Sequence, residues 1–206
     1  MIKAILFDFD GVLTIDGTGS HSICNYICKN TGVNIELFKK EYYKYNDDLL
    51  YGKIKHEDIW NMLCKGLNTQ IDISILYESF LNTPIDSQMV KLVNKLKEQS
   101  YKIGMVTDNK KDRIDNIVKY YNWNKIFDTI TISAEVGSGK DCDTIFLKTI
   151  SDLNVNANEC IFIDNQERNL IIPKSLGMSI IYFNHNERNY EKLIEKFRKL
   201  LIDITE

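Results

Sequence analysis

A short apolar run near the N-terminus ends in two aspartates, and this stretch constrains the fold more than any other. Residues 5–7 are Ile-Leu-Phe, followed by Asp8, Asp10 and then Gly11. Such a run indicates a strand that is buried on both faces, as in parallel sheets. Ligands bind at the carboxyl ends of the strands in these sheets, so Asp8 and Asp10 are expected where chemistry takes place.

The spacing of the two acids suggests a bound cation. Side chains two residues apart in an extended segment project the same way, so Asp8 and Asp10 can share one site. Nearby carboxylates repel each other unless a cation or a proton lies between them, and oxygen ligands favour Mg²⁺. The alternative is an ordinary polar turn after a strand, with Asp10 and Gly11 as turn residues.

Composition limits the classes of function. The chain has 206 residues, a formal net charge of −3, and 44% hydrophobic residues. These values predict one globular core with room for a small inserted module. Without a long basic run or an apolar run near ~18 residues, we expect no nucleic-acid partner, no membrane partner and a cytoplasmic location. No obligate protein partner is evident.

The cysteines are few and widely spaced. Five are present, an odd number, which favours reduced thiols in a chain that shows no secretion signal. His21, Cys24 and Cys28 would share one helical face, so a zinc site is conceivable. Packing of the cysteines in the core is the favoured interpretation, because no second compact pair of ligands follows.

The segment after the first strand has helical periodicity instead of a simple crossover. Four short helices are predicted between His21 and Leu81, separated by glycines, and Thr83-Pro84 closes the block. We therefore predict an α/β hydrolase core formed by residues 1–15 and 84–206, with residues 16–83 inserted as a helical cap over the strand ends.

The remainder of the chain alternates between helices and strands. Strands are predicted near residues 102–106, 129–133, 160–163 and 179–183, and helices near residues 86–99, 113–121, 144–153 and 187–202. This alternation predicts an α/β fold, a Rossmann-like doubly wound parallel sheet, here with an inserted four-helix cap.

The residues that close the strands form a chemically consistent set: Asp8, Asp10, Thr107, Lys140 and Asp164. All of them can meet at one edge of the sheet. Each alone has a structural explanation, such as a helix cap, a turn residue or a solvated lysine. Together they supply a carboxylate nucleophile, a hydroxyl donor, a cation and a metal ligand, which is what the transfer of a phosphoryl group requires.

Four segments carry a resemblance to a known family. Residues 8–14 (DFDGVLT), residues 106–109 (VTDN), the loop ending at Lys140, and residues 162–165 (FIDN) resemble the four motifs of the haloacid dehalogenase-like hydrolase superfamily. The helical block resembles the small α-helical cap of its subfamily I. Residues 51–54 (YGKI) resemble the Gly-x-Ile turn between helices of such caps.

The resemblance implies a Mg²⁺-dependent phosphoric monoester hydrolase. It implies Asp8 as the nucleophile that forms an aspartyl phosphate, and Asp10 as the general acid and base. Thr107 would bind a phosphoryl oxygen, and Lys140 would offset the negative charge of nucleophile and phosphate. Asp164 would hold Mg²⁺ together with Asp8 and the backbone carbonyl of Asp10.

Three positions depart from the family pattern. Asn165 stands where a second acid is common, which would either weaken Mg²⁺ binding or leave Asn169 or a water to position Lys140. Asp108 stands where asparagine is frequent, and since its carboxylate would be repelled by phosphate, we expect its backbone N–H to bind the substrate. Asp141 stands where proline is frequent.

Three functional hypotheses follow. The first is a phosphatase of a small phosphorylated metabolite, with a sugar phosphate as one candidate; the others are a phosphomutase and a binding protein without activity. Asp10 argues against a dehalogenase, because dehalogenase members of the family lack that second acid. Tyr51, Lys53 and His56 of the cap are candidate specificity residues.

Overall fold

A five-stranded parallel sheet forms the centre of the molecule. The computed structural model describes residues 1–200 together with Ile202 and Ile204. The strands are β1 Ala4–Phe7, β2 Lys102–Thr107, β3 Thr129–Ile132, β4 Cys160–Asp164 and β5 Ser179–Tyr182. Their order is β3-β2-β1-β4-β5, and all paired strands are parallel. The predicted α/β fold is confirmed, and β1 is the central strand.

The apolar run of β1 is buried on both faces, as predicted. Ile5 and Phe7 belong to one hydrophobic core, whereas Ala4 and Leu6 belong to a second core on the opposite face of the sheet. Alternate side chains of a strand point to opposite faces, so one four-residue strand contributes to both cores. Asp8 therefore leaves the middle of the carboxyl edge, between β2 and β4.

Helices flank the sheet close to the predicted positions. They are α6 Ser87–Glu98, α7 Lys111–Tyr121, α8 Ser133–Val136, α9 Thr144–Leu153, α10 Ile171–Ser175 and α11 Tyr190–Lys199. Helix α6 begins where the carboxylate of Asp86 accepts hydrogen bonds from the backbone N–H groups of Gln88 and Met89. The predicted extension of the last helix passes through Leu201, which lies outside the described residues.

The inserted block contains one more helix than predicted. Its helices are α1 Gly19–Thr31, α2 Ile35–Tyr42, α3 Asn46–Leu50, α4 His56–Gly66 and α5 Ser74–Leu81. The four-helix prediction is therefore corrected to five. Helix α3 has five residues and buries only Leu49, so it leaves no apolar periodicity in the sequence.

The two segments that link this block to the sheet pair with each other. The backbone N–H of Ile15 donates to the carbonyl of Pro84 (2.8 Å), and the N–H of Asp86 donates to the carbonyl of Leu13 (2.9 Å). Thr14 and Ile85 form an antiparallel bridge between these bonds. The helical block thus leaves and re-enters the core through one hydrogen-bonded ribbon.

Two interpretations of the sequence concern features beyond the sheet. Across the described chain, no helix combines the length and apolarity needed to cross a bilayer. The same residues contain no group of three His, Cys, Asp or Glu side chains placed to hold a metal ion. The zinc interpretation of His21, Cys24 and Cys28 therefore has no support, and the His21 ring is hydrogen-bonded to Asn25 instead.

Candidate active site

Asp8 occupies a fixed position at the end of β1. Its backbone N–H donates to the carbonyl of Ile163 (2.9 Å), which extends the β1–β4 pairing by one residue. Its Oδ1 accepts a hydrogen bond from the N–H of Phe9 (2.7 Å). The chain then turns at Gly11, where φ is +82° and an added Cβ would lie 2.2 Å from Nδ2 of Asn165. Glycine adopts this left-handed backbone conformation without strain, so Gly11 suits a sharp turn directly after Asp10.

Lys140 lies between two buried carboxylates. Its Nζ is 2.8 Å from Oδ1 of Asp8 and 2.7 Å from Oδ2 of Asp164. Burial alone would lower the pKa of Lys140, but the charges of Asp8 and Asp164 raise it. The pKa of Asp8 is raised well above its usual range, first by burial and then by the charge of Asp164, with Lys140 acting in the opposite direction. One lysine therefore contacts two acidic side chains.

The loop residues near Lys140 hold this arrangement in place. Oδ1 of Asp108 accepts a hydrogen bond from the backbone N–H of Lys140 (2.9 Å). Nδ2 of Asn169 donates to both oxygens of Asp164, at 3.2 and 3.1 Å. Asn169 therefore orients Asp164, which in turn contacts Lys140. The expectation that Asn169 or a water positions Lys140 stays a prediction. Burial raises the pKa of Asp108.

Asp10 is held by a residue that sequence reasoning did not find. Arg113 of α7 binds it with both terminal nitrogens, Nη1 to Oδ2 at 2.8 Å and Nη2 to Oδ1 at 2.9 Å. The guanidinium is fully buried and also donates to Oγ1 of Thr83, where the chain leaves the helical block. The sequence gives one indication of this burial: Arg113 lies four residues before Ile117, which places it on the apolar face of its helix.

Asn109 joins Asp10 to the end of β2. Its Nδ2 donates to Oδ2 of Asp10 (2.7 Å) and to Oγ1 of Thr107 (3.2 Å). Its backbone N–H donates to Oγ of Ser133 (2.9 Å). Asn109 thus links two of the predicted residues, Asp10 and Thr107, at the end of β2.

A cavity of about 250 Å³ opens above these strand ends. Five predicted residues line it: Asp8, Asp10, Thr107, Asp108 and Lys140. Asp164 lies behind Lys140 and contacts it directly. The remaining lining consists of Asn109, Lys110, Gln166, Arg168, Asn169 and, from the helical block and its entry, Gly17, Thr18, Gly19, Ser20, Tyr43, Asn46 and Leu50.

The three cap residues proposed for specificity are absent from this lining. His56 is fully buried, with Nε2 2.8 Å from the hydroxyl of Tyr42 and Nδ1 2.7 Å from Oδ2 of Asp112. It joins the helical block to α7 instead of facing the cavity. Lys53 forms an exposed ion pair within the block, and Tyr51 is exposed. Substrate contact by these three side chains is therefore not supported.

The turn at residues 51–54 contacts the sheet domain closely. Gly52 has φ +69°, and an added Cβ would lie 1.9 Å from the carbonyl oxygen of Ala134. Just before it, the carbonyl of Leu50 accepts a hydrogen bond from Oγ of Ser133 (2.7 Å). The predicted inter-helix turn is present, and its glycine is needed for close packing between the block and the core.

The donors at the strand ends suit a hard divalent cation. Asp8 and Asp164 supply carboxylate oxygens, and both side chains contact the same lysine, Lys140. Oδ1 of Asn165, at the position of the missing second acid, is buried and has no hydrogen-bond partner within the described chain. Buried polar atoms are rarely left unpaired, and oxygen donors of this kind are the ligands that Mg²⁺ prefers. The residues present therefore fit magnesium.

Comparison with solved structures shows the same fold in other proteins. A haloacid dehalogenase-family enzyme from Bacteroides thetaiotaomicron, solved with magnesium and inorganic phosphate, is 18% identical, with a TM-score of 0.76 over 94% of this chain and 99% of that one. A phosphatase of the same family from Thermococcus onnurineus is 20% identical, with a TM-score of 0.66 over 99% of this chain and 100% of that one.

Comparison of sequences leads to the family. A sesquiterpene phosphatase from Aspergillus oryzae is 26% identical over 181 residues, which are 85% of this chain and 87% of that protein. The model of the haloacid dehalogenase-like hydrolases matches residues 5–183, from β1 through the end of β5. The matched range includes every strand and all the residues that line the cavity. The chain belongs to the haloacid dehalogenase-like hydrolase family.

Proposed function

We propose that the protein is a Mg²⁺-dependent phosphatase that hydrolyses small phosphate monoesters through an aspartyl phosphate on Asp8. One observation carries this proposal: Asp8 and Asp10 line the same small cavity as Thr107 and Lys140, at the carboxyl edge of the sheet. A nucleophile, a second acid, a hydroxyl donor and a cation around one cavity are the groups that phosphoryl transfer needs.

Asp8 is the nucleophile in this proposal. One of its carboxylate oxygens forms a bond to phosphorus as the bond between phosphorus and the leaving oxygen breaks. Its other oxygen stays oriented by Lys140 and the N–H of Phe9. Thr107 and the backbone N–H of Asp108 donate hydrogen bonds to the phosphoryl oxygens, and Lys140 offsets their charge.

Asp10 transfers the protons. It gives a proton to the departing oxygen and later takes one from the water that attacks the aspartyl phosphate, which returns Asp8 to its free form. The contacts from Arg113 and Asn109 suit the second step, since they stabilise an ionised carboxylate.

Magnesium, when bound, supplies positive charge beside the phosphoryl group. Asp8, Asp164 and the backbone carbonyl of Asp10 would hold it, and the unpaired Oδ1 of Asn165 lies at the same strand end. Electrostatic stabilisation of this kind is usually the largest part of catalysis of phosphoryl transfer.

The division into a core and a cap remains a prediction, in which residues 16–83 form the cap. The hydrogen-bonded ribbon at its base supports it, as do the cap residues that line the cavity. From the Aspergillus oryzae relative we carry over the reaction class alone; a sugar phosphate has no particular support among the residues of the cavity. The phosphomutase alternative differs in its product, which keeps the phosphoryl group on the substrate.

The test is a screen of the purified protein against phosphate esters of alcohols, sugars and nucleosides, with and without Mg²⁺. We expect release of inorganic phosphate that requires Mg²⁺ and is lost in excess chelator. Turnover that persists in chelator would contradict the metal-dependent mechanism. Release of halide from a 2-haloacid, without turnover of any phosphate ester, would identify a dehalogenase.

A further inference from the structure

The buried cations of the cavity differ in what they contact. Three lysine and arginine side chains near the site are almost fully buried: Lys110, Arg113 and Lys140. Arg113 is paired with Asp10, and Lys140 with two carboxylates. Within the described chain, no carboxylate oxygen lies within ion-pairing distance of Nζ of Lys110.

Neutral oxygens hold the ammonium group of Lys110 instead. Its Nζ donates to Oγ of Ser20 (2.9 Å) and to Oδ1 of Asn46 (3.0 Å). Both partners come from the helical block, in α1 and α3, and its Nζ lies 5.9 Å from the centre of the Tyr42 ring. Burial, assisted by the charge of Arg113, lowers the pKa of Lys110 to about 8. A buried cation without an anionic partner is costly for a folded protein.

This lysine lies in the wall of the same cavity as Asp8. Lys110, Ser20 and Asn46 line it from the cap side, opposite the strand ends. The N-terminal turn of α1, at Gly19 and Ser20, also lines the cavity, and the positive end of a helix dipole adds to the attraction for anions. An anionic group of a bound molecule would provide the charge that Lys110 lacks.

We propose that Lys110, Ser20 and Asn46 form a second anion-binding subsite. The substrates are then small phosphate esters with a further anionic group, a carboxylate or a second phosphate, beside the phosphoryl group that reaches Asp8. This inference rests on the proposed function and specifies its substrate class. A cavity of about 250 Å³ offers room for the reacting phosphoryl group and a nearby second anionic group.

The test compares three esters with the same three-carbon chain: propyl phosphate, 3-phosphooxypropanoate and propane-1,3-diol bisphosphate. A charge-assisted hydrogen bond is worth ~10- to 100-fold in binding, so the wild type should favour both esters that carry a second anionic group by at least about 10-fold in kcat/KM. Lys110→Met should remove this preference, with a larger loss of kcat/KM on the two esters that carry a second anionic group than on propyl phosphate. The ester with the larger dependence on Lys110 identifies the second group as carboxylate or phosphate.

Lys111→Met is the matched control, because Lys111 is the next residue, is exposed and pairs with Asp115. It should leave all three activities unchanged. An equal loss on all three esters in Lys110→Met, or no preference in the wild type, would overturn the subsite. If Lys110→Met fails to fold, Lys110→Gln replaces it, with the same expected loss of preference.

A binding experiment separates the subsite from the proposed function. Calorimetry of the bisphosphate with Asp8→Asn should show binding that Lys110→Met weakens ~10- to 100-fold. Binding that depends on Lys110, in a protein that hydrolyses no phosphate ester, would refute the phosphatase and keep the subsite. Hydrolysis of all three esters with no effect of Lys110 on rate or binding would refute the subsite and keep the phosphatase.

Discussion

The two sides of the cavity each contain a buried lysine, but the groups that contact the two lysines differ. On the strand-end floor, formed by Asp8, Asp164 and Lys140, the lysine contacts both acids at 2.8 and 2.7 Å. On the cap-side wall, formed by Lys110, Ser20 and Asn46, the buried ammonium contacts only neutral oxygens. The floor has two acids for one lysine, whereas the wall has a buried lysine whose hydrogen-bond partners are neutral. In our proposal the acids of the floor hold Mg²⁺ for the reaction, whereas the lysine of the wall selects substrates that carry a second anionic group.

The largest expected effect is loss of the nucleophile on the floor. Asp8→Asn should lower kcat by ~10⁴-fold or more, since nucleophiles in comparable catalytic units contribute on that scale. Steady-state release of phosphate measures this effect. Asp115→Asn is the control, an exposed carboxylate on α7 that should leave kcat unchanged. Wild-type turnover in Asp8→Asn would remove the floor from the chemistry.

Asp10 is expected to act through proton transfer, with a smaller effect. Asp10→Asn should lower kcat by ~10²- to 10⁴-fold, the usual contribution of a positioned acid or base. KM should change little, because the charges of Asp8 and Lys140 remain. The loss should be smaller for a nitrophenyl phosphate than for an alkyl phosphate, since nitrophenolate leaves without a proton. An equal loss on both esters would argue against acid catalysis by Asp10.

Arg113 links Asp10 to the base of the cap. Arg113→Met leaves a buried carboxylate without its bidentate partner and should lower the free energy of unfolding by ~3 to 5 kcal/mol. Arg113→Lys restores the charge without the paired geometry, so it should recover part of that stability. Urea unfolding measures both changes. Adding Asp10→Asn to Arg113→Met should relieve most of the loss, and simple additivity of the two mutations would show that the pair is not coupled.

Lys110 should impose a stability cost that depends on pH. Its pKa is about 8 in the folded protein, below its ordinary value of 10.5, so the unfolded chain binds more protons between these values. The stability contributed by this residue should therefore rise with pH from 8 to 10.5, by up to ~3 kcal/mol, and stay constant below pH 8.

Unfolding of the wild type and Lys110→Met in urea across this range measures the difference. The variant should be the more stable protein at pH 7, and its advantage should shrink as the pH rises. If the difference in the free energy of unfolding between wild type and Lys110→Met does not change with pH, burial does not lower the pKa of Lys110.

The floor could be predicted from the sequence, whereas the wall could not. Apolar runs that end in Asp8 and Asp164 mark strand ends, and the rules of parallel sheets bring those ends together. Lys140 was placed in the same set because its loop follows the predicted strand near residues 129–133, and the family resemblance then gave it a role. Arg113 was missed because an arginine on an apolar helix face has no distinctive spacing.

The wall depends on contacts that only the folded chain defines. Lys110 and Asn46 are 64 residues apart, and their meeting depends on how α3 packs against the start of α7. Helix α3 itself left no pattern in the sequence. His56 shows the same limit, since a polar residue in a cap can face a substrate or bridge two domains, and here it bridges Tyr42 and Asp112.

Direct detection of the phosphorylated intermediate tests the central claim, that Asp8 receives the phosphoryl group. The enzyme is mixed with ³²P-labelled nitrophenyl phosphate, whose leaving group needs no proton from Asp10, and with Mg²⁺; it is then quenched in acid within milliseconds, digested and mapped by mass spectrometry. We predict label on the peptide that contains Asp8, accumulation of that label in Asp10→Asn, and its absence in Asp8→Asn. Label on a different residue, or label retained in Asp8→Asn, would contradict the account.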